Sequence, residues 1–162
     1  MHKKYIAKII SVILAAMMLL SFASCDLLKS PEPMTEKEFI AKVGEYKYST
    51  NIEGVASYEE DLVVSKLLAT RPLSPSVEFY ITASNEKSKA LCERLIALFE
   101  NEETLSSHSK TELSDSIVYR GTSSDGQYLI IIATGNTLLS SSDEVRYEDD
   151  AIDLFARLGC AV

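Results

Sequence analysis

SIVYRGTSSDGQYLIIIATGNTLLSS, residues 116–141, decides the fold class. SIVYR (116–120) and QYLIIIAT (127–134) are rich in β-branched and aromatic residues, the composition of a pleated, half-buried surface. Between them SSDG (123–126) is a turn, with glycine where a positive φ is needed. Gly135-Asn136 suits a two-residue hairpin turn into a third strand, TLLSS (137–141). The stretch is therefore a three-strand antiparallel meander. QYLIIIAT is its most apolar member and belongs at the centre of the sheet.

Upstream, VEFYIT (77–82) alternates Val77, Phe79 and Ile81 with Glu78, Tyr80 and Thr82, the period of a strand. DLVVSKLLA (61–69) is β-rich although its apolar residues also allow a helix, and RPLSPS (71–76) breaks it with two prolines. The two runs are read as a hairpin with a long loop. Tyr46, Tyr48 and Ile52 give a weaker strand signal. Three helices frame these strands. Thr35 and Glu38 form a capping box, Met34 and Phe39 a hydrophobic staple, and Gly44 is positioned to stop the helix that follows. Ser84 or Asn85 caps a helix over 85–101, with Leu91, Leu95 and Leu98 at helical spacing. A last helix starts near 142–144, carries Tyr147, Ala151, Leu154 and Leu158 on one stripe, and ends at Gly159. ENEETLSSHSKTELSDS (100–116) is polar and reads as a loop. The expected fold is α+β: a mostly antiparallel sheet, hairpin plus meander, covered on one face by two or three helices.

Charge is divided as sharply as hydropathy. Of 16 bases, Lys3, Lys4 and Lys8 lie in the first 24 residues, which hold no acid. That leaves 13 bases against 24 acids, a net −11, in residues 25–162. Such a body lacks the basic surface that neutralises phosphates, which excludes nucleic-acid binding as its business. MHKKYIAK followed by IISVILAAMMLLSF is a basic n-region and an apolar core of signal-peptide length, short for a bilayer span, and no second apolar stretch is long enough to span.

Phe22-Ala23-Ser24-Cys25 resembles the lipobox of bacterial lipoproteins, in which leucine is the usual residue where Phe22 stands. The resemblance implies that Cys25 receives a diacylglycerol, that cleavage precedes it, and that two acyl chains hold the protein stably on the extracytoplasmic face of the cell membrane. In a Gram-negative envelope, Asp26 would resemble an inner-membrane retention signal. The chain then divides into a signal peptide (1–24), a lipidated cysteine with an extended tether (25–34), and one α+β domain (35–162). In the tether, Pro31 and Pro33 favour extended backbone, with a reach of roughly 30 Å for residues 26–34. Repulsion between the acidic body and an anionic membrane surface holds the domain in solvent. MTEKEFIAKV (34–43), VEFYITASNEKSKAL (77–91) and DGQYLIIIATGNTLL (125–139), taken with the lipobox, resemble small lipoproteins of Gram-positive anaerobic bacteria, which implies location and fold but no reaction.

The remaining residues offer little chemistry. Cys92 and Cys160 form a candidate disulfide if both helices cover the same sheet face, and otherwise are buried thiols. His108 is the only imidazole past the signal peptide; it sits among serines with no Gly-x-Ser-x-Gly elbow to present a nucleophile. One histidine and two separated cysteines make no zinc site. The acids between Asp143 and Asp153 lack calcium-loop spacing and read as a solvated helix start. No glycine-rich phosphate cradle is present, and neither a cofactor nor a metal is expected. Tyr46, Tyr48, Tyr80, Tyr119 and Tyr128 lie on expected strands and form a candidate binding face. These observations point to a non-enzymatic, membrane-tethered domain that binds an envelope protein or peptide. The alternatives are a small-ligand carrier or enzyme with its site near the sheet face and the 100–116 loop, and a purely structural envelope lipoprotein.

Overall fold

A computed structural model describes residues 32–160. The signal peptide, Cys25 and most of the tether lie outside the described residues. The chain is α+β. One seven-stranded, wholly antiparallel sheet is built from β1 (Ser49–Ile52), β2 (Val63–Thr70), β3 (Val77–Thr82), β4 (Leu105–Glu112), β5 (Ser116–Ser123), β6 (Gln127–Thr134) and β7 (Thr137–Glu144), in the spatial order β1-β2-β3-β7-β6-β5-β4. Two meanders thus meet at the β3–β7 pair. Three helices, α1 (Glu36–Glu45), α2 (Asn85–Glu102) and α3 (Glu148–Arg157), pack against the sheet.

The helices divide between both faces, where coverage of a single face was expected. On one face α1 and α3 bring Phe39, Val43, Leu154 and Phe155 onto Phe79, Ile130, Ile132 and Leu139, with Phe39 stacked on Phe79 at 4.7 Å between ring centroids. On the other, α2 brings Leu91, Cys92, Ile96 and Phe99 onto Tyr80, Leu129, Ile131 and Leu138. The cause is visible in β6. Successive strand residues point to opposite faces, and β6 is buried almost throughout, so both of its faces need a cover. The crossover α2 supplies the second one while carrying the chain from β3 to the far edge at β4.

Local signals account for the element ends. Thr35 and Glu38 close the capping box: the Thr35 N–H donates to Glu38 Oε2 at 2.8 Å and the Glu38 N–H to Thr35 Oγ1 at 3.3 Å. Met34, assigned to the tether by sequence, is buried in the α1/α3 core beside its staple partner Phe39. The stop of α1 differs from expectation. The left-handed residue is Lys47 (φ 64°), and the Tyr48 N–H turns back to the Val43 carbonyl at 3.1 Å. Segment 105–112, read as loop, is strand β4. It is almost entirely exposed and takes its shape from backbone pairing with β5, so it carries no apolar alternation. Strand β7 runs to Glu144, paired with Gln127, which delays the last helix to Glu148.

Because the two cores share only the sheet, conservative truncations on opposite faces add. Ile130→Val and Ile96→Val each lower stability by about 0.5–1.5 kcal/mol, and the double variant loses their sum within about 0.5 kcal/mol, read by urea denaturation.

Candidate functional site

The five tyrosines do not form one face. Tyr80 and Tyr119 are buried on the α2 side, Tyr48 and Tyr128 on the α1/α3 side, and Tyr46 is half-buried. Each buried phenol is satisfied internally. Tyr128 shares a hydrogen bond with Ser141 Oγ at 2.8 Å, and Tyr119 donates to Glu100 Oε1 at 3.2 Å. Tyr119 lies over Gly121, where a Cβ would come within 2.5 Å of its hydroxyl. Their place on strands had suggested a binding face; burial on both sides of the sheet removes it. The cysteines do not pair either. Cys92 is a free thiol in the α2 core and Cys160 a free thiol in the α1/α3 core, so the sheet stands between them. Burial pushes the Cys92 thiol up to about 12 and the Cys160 thiol up to about 11, which leaves both unreactive. His108 is exposed on edge strand β4, opposite Gly121 of β5. Among the described residues no three of His, Cys, Asp and Glu gather where they could hold a metal ion, and no helix is long and apolar enough to cross a membrane.

Two polar constellations emerge that no local motif announced. The first lies under the 53–62 segment, on the part of the α2 face that α2 leaves open. Glu59 is fully buried. It accepts from the Ala56 N–H at 3.0 Å and from the Tyr80 hydroxyl at 3.2 Å, and stands 3.6 Å from Lys66 Nζ. Lys66 also pairs with Glu78 at 2.8 Å and lies 4.9 Å from the Tyr80 ring centroid. Burial by itself would lower the Lys66 ammonium, but its hydrogen bond to Glu78 and the charges of Glu78 and Glu59 outweigh that and hold it above its ordinary value. Glu59, Lys66 and Tyr80 are buried and satisfy one another, with Glu78 half-buried at the rim, so this network clamps the segment to β2 and β3.

The second constellation is open. Tyr46, Tyr48, Arg71, Asp150, Asp153, Leu154 and Arg157 line a cleft of about 220 Å³ between α3 and the end of β2. Asp150, Asp153, Leu154 and Arg157 share one stripe of α3 at helical spacing. The Arg71 guanidinium lies over the Tyr48 ring at 5.1 Å, and that of Arg157 over Tyr46 at 5.3 Å. Arg71 is held further by donating from Nη1 to the Tyr46 carbonyl at 2.9 Å and from Nε to Ser74 Oγ at 2.7 Å. Arg157 donates from Nε to Asp153 Oδ2 at 2.5 Å. Burial raises the Tyr48 phenol; Arg71 opposes the rise and Asp150 adds to it, so both charges are felt at one ring. Beside the cleft, Leu73 sits at the tip of the β2–β3 loop with φ 57° and 88 % exposed. Such a backbone costs about 1–2 kcal/mol for a residue with a Cβ.

Comparison of the chain with known protein families, with curated proteins and with solved structures gives no match.

Two outcomes test this description. Lys66→Met leaves Glu59 buried beside no cation and lowers stability by about 3–5 kcal/mol in chemical denaturation. The second concerns alkali. Burial above all raises the Tyr119 and Tyr128 phenols to about 12, from an ordinary 10.0. A pKa raised by folding adds stability that is complete below the unfolded value and is lost as pH climbs through the folded one. Stability therefore falls between pH 10.0 and about 12. In a spectrophotometric titration the buried tyrosines ionise together with unfolding, after the exposed ones.

Proposed function

We propose that the chain is a membrane-tethered extracytoplasmic lipoprotein, acylated at Cys25, whose folded body is a non-enzymatic binding module for a protein or peptide of the cell envelope. The lipobox-like Phe22-Ala23-Ser24-Cys25 supports the anchor. The observation that carries the binding reading is Arg71. Its guanidinium is fixed by one ring and two hydrogen bonds, yet forms no ion pair with any described residue, and it lines an open cleft. A guanidinium oriented in advance has already lost the rotamer freedom that binding would otherwise cost. The strained, exposed Leu73 two residues on adds an apolar contact of the kind that anchors a partner.

The position of the cleft agrees with such a role. Pro33 packs against Gly135, whose added Cβ would meet the proline ring at 2.6 Å, so the chain enters the fold at the β6–β7 turn. The Ile81↔Thr137 pair of β3 and β7 lies at that end, and the Ala69↔Val77 pair of β2 and β3 lies at the other, where Arg71 begins the loop. The six residues of β3 separate the two ends by roughly 20 Å.

The test uses the full chain in a bacterial host that acylates lipoproteins. Cys25→Ser moves the protein from the membrane fraction to the soluble one and abolishes palmitate labelling. A photo-crosslinking residue at position 73 captures a discrete envelope partner, and Arg71→Gln removes that adduct. An unlabelled wild-type chain refutes the anchor; equal crosslinking from positions 73 and 109, the latter on β4, refutes the binding surface.

A further inference from the structure

We infer that the Arg71 cleft is a receptor site for a small zwitterion, a group presenting a carboxylate and an ammonium together, such as a free α-amino acid or a short peptide with both ends free. The inference rests on the binding-module reading above and specifies the ligand of that same site. The cleft is lined by two cations and two anions. Arg157 and Asp153 neutralise each other through their 2.5 Å contact, one turn apart on α3. What remains is one cation, Arg71, and one anion, Asp150. Among the described residues Arg71 enters no ion pair, and Asp150 no ion pair or hydrogen bond. A single positive and a single negative group lining one cleft are complemented by a ligand carrying the reverse pair. A plain anion would gain Arg71 and meet Asp150; a plain cation would meet the converse.

Donor arithmetic agrees. A guanidinium has five N–H donors, and Arg71 spends two, on Ser74 and on the Tyr46 carbonyl. Three stay available on the Nη edge, enough for the paired hydrogen bonds a carboxylate accepts. Asp150 lies in the first turn of α3, exposed, where it can accept from an ammonium. The two tyrosines and buried Leu154 line the same cleft. Size narrows the class further. A cleft of about 220 Å³ is smaller than the roughly 300–1,000 Å³ of pockets for drug-sized ligands, and admits about one or two residues. A peptide threaded through by its middle would bring neither terminal charge to it.

The test is calorimetric titration of the purified full chain with alanine and with dialanine, each in free, N-acetylated and C-amidated form. Free alanine or free dialanine binds, and which of the two binds tells a lone amino acid from a peptide. Acetylation and amidation each weaken binding about tenfold or more. Arg71→Gln abolishes discrimination by the carboxylate, and Asp150→Asn equalises the free and acetylated forms while retaining the preference for a free carboxylate. Both substitutions are on exposed side chains, and unchanged melting temperatures confirm that each variant is folded. Equal binding of all forms, or binding confined to the doubly capped peptide, overturns the zwitterion assignment while leaving the binding module in place. No binding of any form overturns the assignment as well, and the crosslink from position 73 then decides the broader reading separately.

Discussion

Strand β6 is buried on both sides, and the rest of the architecture follows from that. Tyr128, Ile130 and Ile132 enter one core, while Leu129, Ile131 and Ala133 enter the other. Leaving either set in water would forfeit about 25 cal/mol for each Å² of apolar surface, so a helix must lie on each face. Among the described residues three helices serve for this. The first and last of them, α1 and α3, fall together on one side, and the crossover α2 takes the other. An antiparallel sheet covered on one side alone would show apolar–polar alternation in its central strand; QYLIIIAT shows none.

The same constraint explains why ionic groups are buried where they are. Helix α2 covers β5, β6, β7 and part of β3, which leaves the β2 end of that face to be roofed by an irregular segment with few apolar residues. Leu62 is its one fully inserted hydrophobe. Glu59, Lys66, Glu78 and Tyr80 take the place of a hydrophobic plug. A buried ion cluster of this kind adds little net stability over well-packed apolar side chains, but breaking it is costly, so it fixes one arrangement of the segment over others. Arg94 reinforces the arrangement from α2, with its ion pair to Asp61 at 2.8 Å and a hydrogen bond to the Tyr58 carbonyl.

Legibility followed the range of the interactions. The meander of β5, β6 and β7, the capping box of α1 and the span of α2 are written in contiguous residues and could be read directly. Strand β4 could not, because its geometry comes from pairing with β5 and LSSHSKTE has no buried face to impose a pattern. The tyrosines do not share a face because alternation along these strands sets one core against the other. The separation of Cys92 and Cys160 has the same origin. The continuous apolar run of β6 held the information, since a strand with no polar side has no solvent side. The cleft was beyond local reading: its residues come from positions 46–48, 71 and 150–157, and only the stripe Asp150-x-x-Asp153-Leu154-x-x-Arg157 hinted that the acids of α3 were organised.

That stripe lies at the end of the sheet opposite the contact between Pro33 and Gly135. Helix α1 runs from the end where Pro33 meets Gly135 toward the β2–β3 loop, and delivers Tyr46 and Tyr48 there through the left-handed Lys47. Helix α3 starts after β7 has reached that same far end, and returns until Lys42 of α1 donates to its Leu158 carbonyl at 2.7 Å. Tyr46 and Tyr48 provide the rings, Arg71 and Arg157 lie over them, and the α3 carboxylates line the same cleft. The tyrosines therefore contribute as platforms that orient cations, a role their burial permits, whereas an exposed aromatic face would have required them to be bare.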